Sequence, residues 1–433
     1  MIHVQTYTSD KKMCGEGHST VSARGGSHPV MDAHAEGVTR ASGRTRTRRR
    51  LLILGPVNSP HTEHLAAGAQ ERGFEVVVAG TVWPALPITG ALEKRDINVS
   101  LREWPTARWL RDLMRCVQPD VVHANWLTDA FLYLVYGAVP MVAMAWGSDV
   151  YRASRREDLQ NRFIARRAAM LLADSGHLLQ RLRELGAPED RTTLINWGID
   201  LEGFSPPATD RAAVRRALGL PEGRLILSPR SLRPIYNPRT IVAAFEVVAA
   251  QDADVHLLLK HIHEDEPDLG PLRYPDRVHT IGYVPYERMA DYYRAADVCI
   301  SIPSSDSSPR SVWEAMGCGT PCVLSDLPWV HELIHDGREA LVVSPDAESV
   351  ANAIARLFGQ EGLREEIAAG ARRLVELYRD RDAELDRLTE VYERVARERT
   401  GASKRSTMLH SGIATTATGV AAARRRLAGR SAR

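Results

Sequence analysis

Residues 296–332 read ADVCISIPSSDSSPRSVWEAMGCGTPCVLSDLPWVHE. Val298 to Ile302 is a short apolar strand that ends in a Pro/Ser loop. A helix opens near Pro309, carries Glu314, and breaks at Gly317 and Gly319. Pro321 to Leu324 is a second apolar strand. Ser307 and Ser308 suit the N-cap of that helix, and Pro309 suits its first turn. So placed, the helix aims unpaired N–H groups and the positive end of its dipole above the strand ends, a seat for a diphosphate. Asp306 in the loop and Glu314, eight positions on, flank the seat. Carboxylates beside an anion site make poor phosphate ligands but good acceptors for sugar hydroxyls. The residues alone equally admit a plainer reading: a strand–helix–strand unit of any α/β protein, with two surface acids.

The same alternation runs outward through the chain. Leu51 to Leu54 reads as a buried strand, GPVNSPHTEH as the loop after it, Leu65 to Arg72 as a helix closed by Gly73, and Phe74 to Ala79 as a strand. Strands follow at Pro119 to His123, Met141 to Ala145, Met170 to Ala173 and Thr193 to Ile195. A polar stretch ends near Gly223, and the pattern restarts. Leu225 to Leu227, Val255 to Leu259 and Val278 to Ile281 are strands; Thr240 to Ala250 and Tyr286 to Ala295 are helices. Ala347 to Phe358, Gly362 to Tyr378 and a charged Asp382 to Arg397 close the series as helices. Short apolar strands alternating with helices predict an α/β fold with parallel sheets covered on both faces, two doubly wound domains in all. Functional loops in such sheets lie at the carboxyl ends of strands.

The opening segment resembles the donor-site motif of retaining glycosyltransferases of the GT-B fold, family 4. That motif is a carboxylate, seven residues, a Glu, then Ala-Met-x-x-Gly-x-Pro; here it runs from Asp306 through Glu314-Ala315-Met316 to Gly319 and Pro321. The family usually has Glu where this chain has the shorter Asp306. The resemblance covers roughly residues 51 to 397. It implies two Rossmann-like domains facing a central cleft: residues 49–205 for the acceptor and 223–380 for the nucleotide-sugar donor, with a 206–222 linker. A helix over 381–399 would return toward the first domain. Asn196-Trp197-Gly198-Ile199-Asp200, with Phe204 and Pro206, looks like the segment that closes the first domain.

The resemblance assigns site residues one by one. Glu314 holds the ribose hydroxyls. Asp306, with N–H groups near Ser307 and Ser308, orients the donor sugar, and Pro309 opens the helix beside them. Arg230, in Ser228-Pro229-Arg230-Ser231-Leu232-Arg233-Pro234, matches the family's diphosphate-binding Arg. The Lys expected five residues later is Ile235, so Arg233 or Lys260 stands as its substitute; a guanidinium can fork two phosphate oxygens. Gly282-Tyr283-Val284 resembles the loop against the nucleotide base, which leaves uracil and guanine both open. On the acceptor side, His61 follows the first strand and His123 ends another. Trp146-Gly147-Ser148-Asp149 fills the loop where many relatives carry a His; here that position is Trp146. Trp126 and Trp146 can stack on a sugar or aromatic acceptor, and Asp149 is either an acceptor ligand or a turn carboxylate.

Composition sets the outer bounds. A chain of 433 residues suggests two or three domains, and 44% hydrophobic and 25% charged residues are ordinary for a soluble one. The net charge of +2 conceals basic ends: residues 1–50 hold nine Lys and Arg against four acids, and 400–433 hold seven and none. The intervening body is acidic, which argues against nucleic acid as partner. Both ends, 1–48 and 400–433, read as disordered extensions rich in Ser, Thr, Gly, Ala and Arg, though contact with an anionic membrane stays open. The N-terminal segment lacks the apolar core of a secretory signal, and Met31 is an equally good start. Five scattered cysteines, Cys14, Cys116, Cys299, Cys318 and Cys322, fit a reducing cytoplasm. No metal is expected. The His261, His263, Glu264, Asp265, Glu266 cluster lacks the spacing of a closed site, and Asp380-Arg381-Asp382, the one Asp-x-Asp, lies between helices.

The resulting expectation is a cytoplasmic, metal-independent, retaining glycosyltransferase that moves a sugar from a UDP- or GDP-sugar to a small-molecule or glycan acceptor. Two alternatives remain: a GT-B nucleotide-sugar epimerase, or a non-catalytic nucleotide-sugar-binding subunit of a transferase complex. Asp306, Ile235 and Trp146 motivate the second.

Overall fold

The computed structural model describes residues 48–82, 92, 97–101, 107–136, 139–261 and 269–398. Residues 1–47, the 400–433 tail and the polar run His263 to Glu266 lie outside them. Leu51, Leu52 and Ile53 have no solvent exposure, nor have Val298 and Ile300. Strands apolar at consecutive positions bury both faces only when helices cover the sheet on each side. Both sheets are built that way, and every strand pairing in them is parallel.

The first sheet contains β1 (Arg50–Leu54), β2 (Glu75–Gly80), β3 (Asn98–Leu101), β4 (Val121–Ala124), β5 (Met141–Met144), β6 (Met170–Ala173) and β7 (Thr192–Leu194), in the order 3-2-1-4-5-6-7. The second contains β8 (Arg224–Ser228), β9 (Val255–Lys260), β10 (Val278–Ile281), β11 (Val298–Ser301), β12 (Cys322–Ser325) and β13 (Leu341–Val343), in the order 10-9-8-11-12-13. Strand order reverses between β1 and β4 and again between β8 and β11. Chains leave opposite ways at such a point, which opens a crevice beyond the strands' carboxyl ends. The first turn of the helix after β1 and the loops after β4, β8 and β11 line one cavity between the two domains. Strands β3 and β13 were not anticipated from pattern.

The first long helix begins at Pro60, not near Leu65, because Ser59 takes the extended N-cap conformation and proline suits the first helical position. His61 therefore sits in a helical first turn rather than in a loop. Residues 381–398 form the last helix. It packs on the first domain: Leu388, Val391, Tyr392 and Val395 join the apolar cluster under β1 and β2, and Arg72 bonds to Asp382 and Asp386. The Asp380-Arg381-Asp382 triplet is structural. Asp380 accepts from Ala383 N at 2.8 Å as a helix cap, and Asp382 pairs with Arg72.

The chain crosses between domains twice, side by side. Ile199 N donates to Arg379 O at 2.8 Å, and Arg381 N donates to Ile199 O at 3.1 Å. Gly198, at φ 58°, permits the crossing: a Cβ there would lie 2.5 Å from Arg381 Cα. Among the described residues, no helix is long and apolar enough to cross a membrane.

Candidate active site

The cavity between the domains has a volume of about 1170 Å³. Its second-domain wall is made by the loops after β8, β9, β10 and β11 and by the helix Arg310–Gly317. Arg230, two residues past β8, is the centre of charge there. Its guanidinium donates to Asp306 Oδ2 at 2.7 Å and to Ser311 Oγ at 3.1 Å, and it lies 4.5 Å over the Tyr236 ring. Asp306 also accepts its neighbour Ser307's N–H at 2.9 Å. Glu314 is buried, accepts from Tyr293 OH at 2.9 Å, and has Arg310 Nε 3.6 Å away. Lys260, at the end of β9, also lines the cavity; burial and Arg230 hold its pKa below the usual lysine value, and Glu314 partly offsets them. Arg233 lines the cavity at an exposed position. Tyr283 and Val284 reach the cavity wall; Gly282 does not.

The start of the Arg310–Gly317 helix departs from the expected cap. Pro309, not a serine, occupies the N-cap position, and no side chain caps the first turn. Ser307 and Ser308 are spent on the other domain instead. The Ser307 hydroxyl donates to Asp174 Oδ1 and lies 2.8 Å from Ser175 Oγ. Ser308, held at φ 46°, accepts from Asn196 Nδ2 and from Trp313 Nε1, each at 3.0 Å. No side chain takes the first N–H groups of that helix, whose opening residues Pro309, Arg310 and Ser311 line the cavity, and Val312 N donates to Pro309 O at 3.1 Å. Close approach is made possible by Gly147 (φ 84°): a Cβ there would come within 2.8 Å of Ser307 Cβ.

From the first domain the cavity receives Pro60, His61, Trp126, Trp146, Ser148 and Asp174. Burial, then Arg310 and Arg230, pull the His61 pKa down to about 3, so the ring is neutral; its Nδ1 is buried without a hydrogen-bond partner. Burial raises the Asp174 carboxyl well above the ordinary range, with the Ser307 hydroxyl opposing and Asp306 adding to the effect. Trp146 stacks on Trp197 (4.7 Å between ring centres, 3° between planes) and on Trp126 (5.4 Å, 22°).

Two expected acceptor residues are placed elsewhere. His123 points into the core under the last helix, where its Nδ1 is 2.9 Å from Tyr392 OH. A β4 side chain one residue from the strand end follows the sheet's alternation, and this position falls on the inner face. Asp149 is a turn carboxylate: it accepts Trp146 N at 3.0 Å and Leu127 N at 3.2 Å and does not line the cavity. Sequence reasoning passed over Arg310, Tyr293, Asp174 and Trp197. Arg310 directly follows Pro309 in the opening stretch, and Asp174 directly follows β6, so position alone was a signal for both. Nothing local marks Tyr293, which reaches Glu314 from a neighbouring helix.

Comparison with known proteins matches a family model to each of the two domains. The family described as Glycosyltransferase Family 4 matches residues 59–202, and Glycosyl transferases group 1 matches 224–360. A D-inositol 3-phosphate glycosyltransferase of Xylanimonas cellulosilytica is 30% identical over 321 residues, 67% of this chain and 75% of that one. D-inositol 3-phosphate glycosyltransferase 2 of Catenulispora acidiphila is 29% identical over 51% of this chain and 55% of its own length. Among solved structures, Anabaena Alr3699/HepE in complex with UDP-glucose superposes with a TM-score of 0.70 at 18% identity, covering 79% of this chain and 99% of that one. Sucrose-phosphate synthase from Thermosynechococcus elongatus gives 0.67 at 18%, covering 80% and 99%.

Proposed function

The chain belongs to glycosyltransferase family 4, the group 1 glycosyl transferases, and from that membership we propose that it transfers a sugar from a UDP- or GDP-sugar with retention of anomeric configuration. The observation that carries the reading is the meeting of Arg230, Asp306, Glu314 and an uncapped helix start in one interdomain cleft. In this scheme an acceptor hydroxyl approaches the anomeric carbon on the face from which the diphosphate departs. The carbon–oxygen bond to the diphosphate breaks, its electron pair stays on the phosphate oxygen, and that oxygen takes the hydroxyl proton as the new glycosidic bond forms.

Arg230, Lys260 and the N–H groups at the Arg310–Gly317 helix start meet the charge that develops on the leaving group, so the scheme calls for no metal. Glu314 accepts the ribose hydroxyls, and Asp306 orients the donor sugar. Binding of a diphosphate draws Arg230 off Asp306 and frees that carboxylate for sugar hydroxyls. Closure of the domains over the donor excludes water and suppresses hydrolysis.

Thermal shift against UDP, GDP, ADP and their sugar conjugates is the test. A ligand at about 100 times its Kd stabilises by about 2.7 kcal/mol, which raises Tm by roughly 5 °C or more in a domain of this size. One nucleotide should produce such a shift, and its sugar conjugate should turn over only with acceptor present. No shift with any nucleotide would overturn the reading. Ile235 at the usual Lys position favours one second reading, a binding subunit without turnover; it predicts the shift but no transfer in the purified protein.

A further inference from the structure

The helix Arg155–Arg167 of the first domain has two unlike faces. Asn161, Ile164 and Ala165 are buried against the domain. At 3.6 residues per turn, the side opposite them is an arc of about 120° that holds six residues: Arg155, Arg156, Leu159, Phe163, Arg166 and Arg167. The four arginines are exposed, and among the described residues none of them makes an ion pair; the pairs formed at this helix are Arg162 with Asp158 and Arg181 with Asp158. Leu159, between the two arginine pairs, is 69% exposed. Phe163 is half-buried on Phe131, with ring centres 5.6 Å apart, and Arg167 lies 5.0 Å over its ring. The helix's own acids lie off this side and are already engaged. Glu157 accepts Ser154 N at 2.7 Å in a capping box, and Asp158 accepts from Arg162 Nε at 2.8 Å. The result is an outward strip with an apolar centre and an arginine pair at each end.

We propose that this strip docks the first domain on an anionic lipid surface, with Leu159 entering the headgroup layer and the arginines meeting lipid phosphates. The inference is independent of the reaction assigned to the cleft. A single exposed leucine is ordinary on a protein surface; the setting distinguishes this one, since cations flank it on both sides and no acid of its helix shares the face. Burying its side chain in lipid is favourable. Long arginine stems keep their guanidinium groups at phosphate depth while the leucine goes deeper, and each guanidinium forks two phosphate oxygens. Basic residues beside Leu and Phe on one helical face are the composition of helices that lie in a membrane interface. The body between the basic ends is acidic overall, so an anionic surface attracts it only where cations are concentrated, as the four are here. Nucleic acid also attracts arginine, but its backbone leaves the apolar centre unused, and strand binding relies on aromatic side chains with open faces. Phe163 has one face of its ring under Arg167 and an edge contact with Phe131.

Co-sedimentation of the full chain with vesicles is the test, phosphatidylcholine alone against phosphatidylcholine mixed with phosphatidylglycerol. The native chain should bind the mixed vesicles and not the neutral ones, and should be released as salt rises toward about 1 M, where the screening length falls to about 3 Å. The chain's ends are basic too, so the decision rests on variants confined to the strip. Each arginine near an anionic surface contributes about fivefold to partitioning, so Arg155→Ala with Arg156→Ala should bind about twentyfold more weakly. Arg155→Lys with Arg156→Lys keeps the charge and should stay within a few-fold of native. Leu159→Ser keeps every cation and should lose about tenfold. All three positions are exposed, and Tm measured alongside shows that each variant is folded. Native-level binding by the folded alanine pair would assign the contact to another surface and overturn the proposal. So would a native chain that leaves the mixed vesicles unbound, or native-level binding by Leu159→Ser. Binding of polyuridylate that the alanine pair loses, with vesicles left unbound, would assign the strip to nucleic acid instead.

Discussion

Glu314 shows how one side chain links core to cleft. It stands on the second turn of its helix with one oxygen held by Tyr293 OH at 2.9 Å, and its exposure is 6%. Tyr293 is itself buried, and its phenol is pushed well above the ordinary value by burial and by Glu314, so it remains a donor at any working pH. The pair fixes the carboxylate in advance, so under the proposed donor-binding role less ordering is left for binding. Hydrogen bonds to a charged group contribute about 1.5–3 kcal/mol. Glu314→Ala should therefore weaken nucleotide binding by roughly ten- to a hundredfold, measured by calorimetry with UDP or GDP. Tyr293→Phe should cost less, because the carboxylate remains but is free to turn. Nucleotide affinity equal to the native value in Glu314→Ala would remove Glu314 from the site.

Elements decide where such residues end up, and here the sequence was legible only in part. Apolar runs such as Leu51 to Leu54 and Val298 to Ile302 announced the strands, because consecutive apolar residues are what a doubly covered strand requires. Asp306 and Glu314 were readable from spacing on one loop and one helix. His123 was not, since whether a strand residue faces core or cleft depends on register with neighbours. Trp126 and Trp146 were named singly, because their stacking on each other needed β4 beside β5, a tertiary fact. Asp129, three residues after Trp126, has its pKa raised to about 7, by burial first and by Asp149 second. A raised carboxyl pKa means that the native state holds its proton after the unfolded chain has released it. Its effect on stability is nil below about pH 4, grows as pH rises toward 7, and is a full penalty above. Asp129→Asn keeps the shape without the charge. Its Tm should exceed the native Tm at pH 8, with the gap closing as pH falls to 4. Parallel Tm curves for the two proteins across that range would show that Asp129 ionises normally.

At the scale of the whole molecule, the two domains meet through a polar seam. Glu332 of the second domain accepts Gly176 N and His177 N, each at 2.8 Å, at the start of the helix Gly176–Glu184. This is a carboxylate on a helix N-terminus, favoured by the dipole but weakened by solvent exposure. Asn196 is the buried counterpart. Its side-chain amide donates to Asp174 O at 2.9 Å and to Ser308 Oγ at 3.0 Å, and its own N–H donates to Glu384 Oε2 at 2.8 Å. One residue thereby joins first domain, donor loop and last helix. The two contacts should fail differently. Glu332→Ala removes an exposed tie between the domains, so it should leave Tm within about 2 °C of native, because surface electrostatic contacts contribute about 1 kcal/mol or less. It should still enlarge the radius of gyration in solution scattering and raise donor KM a few-fold. Asn196→Ala leaves buried partners unsatisfied, at a cost of about 1–3 kcal/mol, and should lower Tm by several degrees as well as opening the cleft. If Glu332→Ala left scattering and KM at native values, the helix N-terminus would be a passive contact, and closure would rest on the buried seam around Asn196, Ser307 and Ser308 alone.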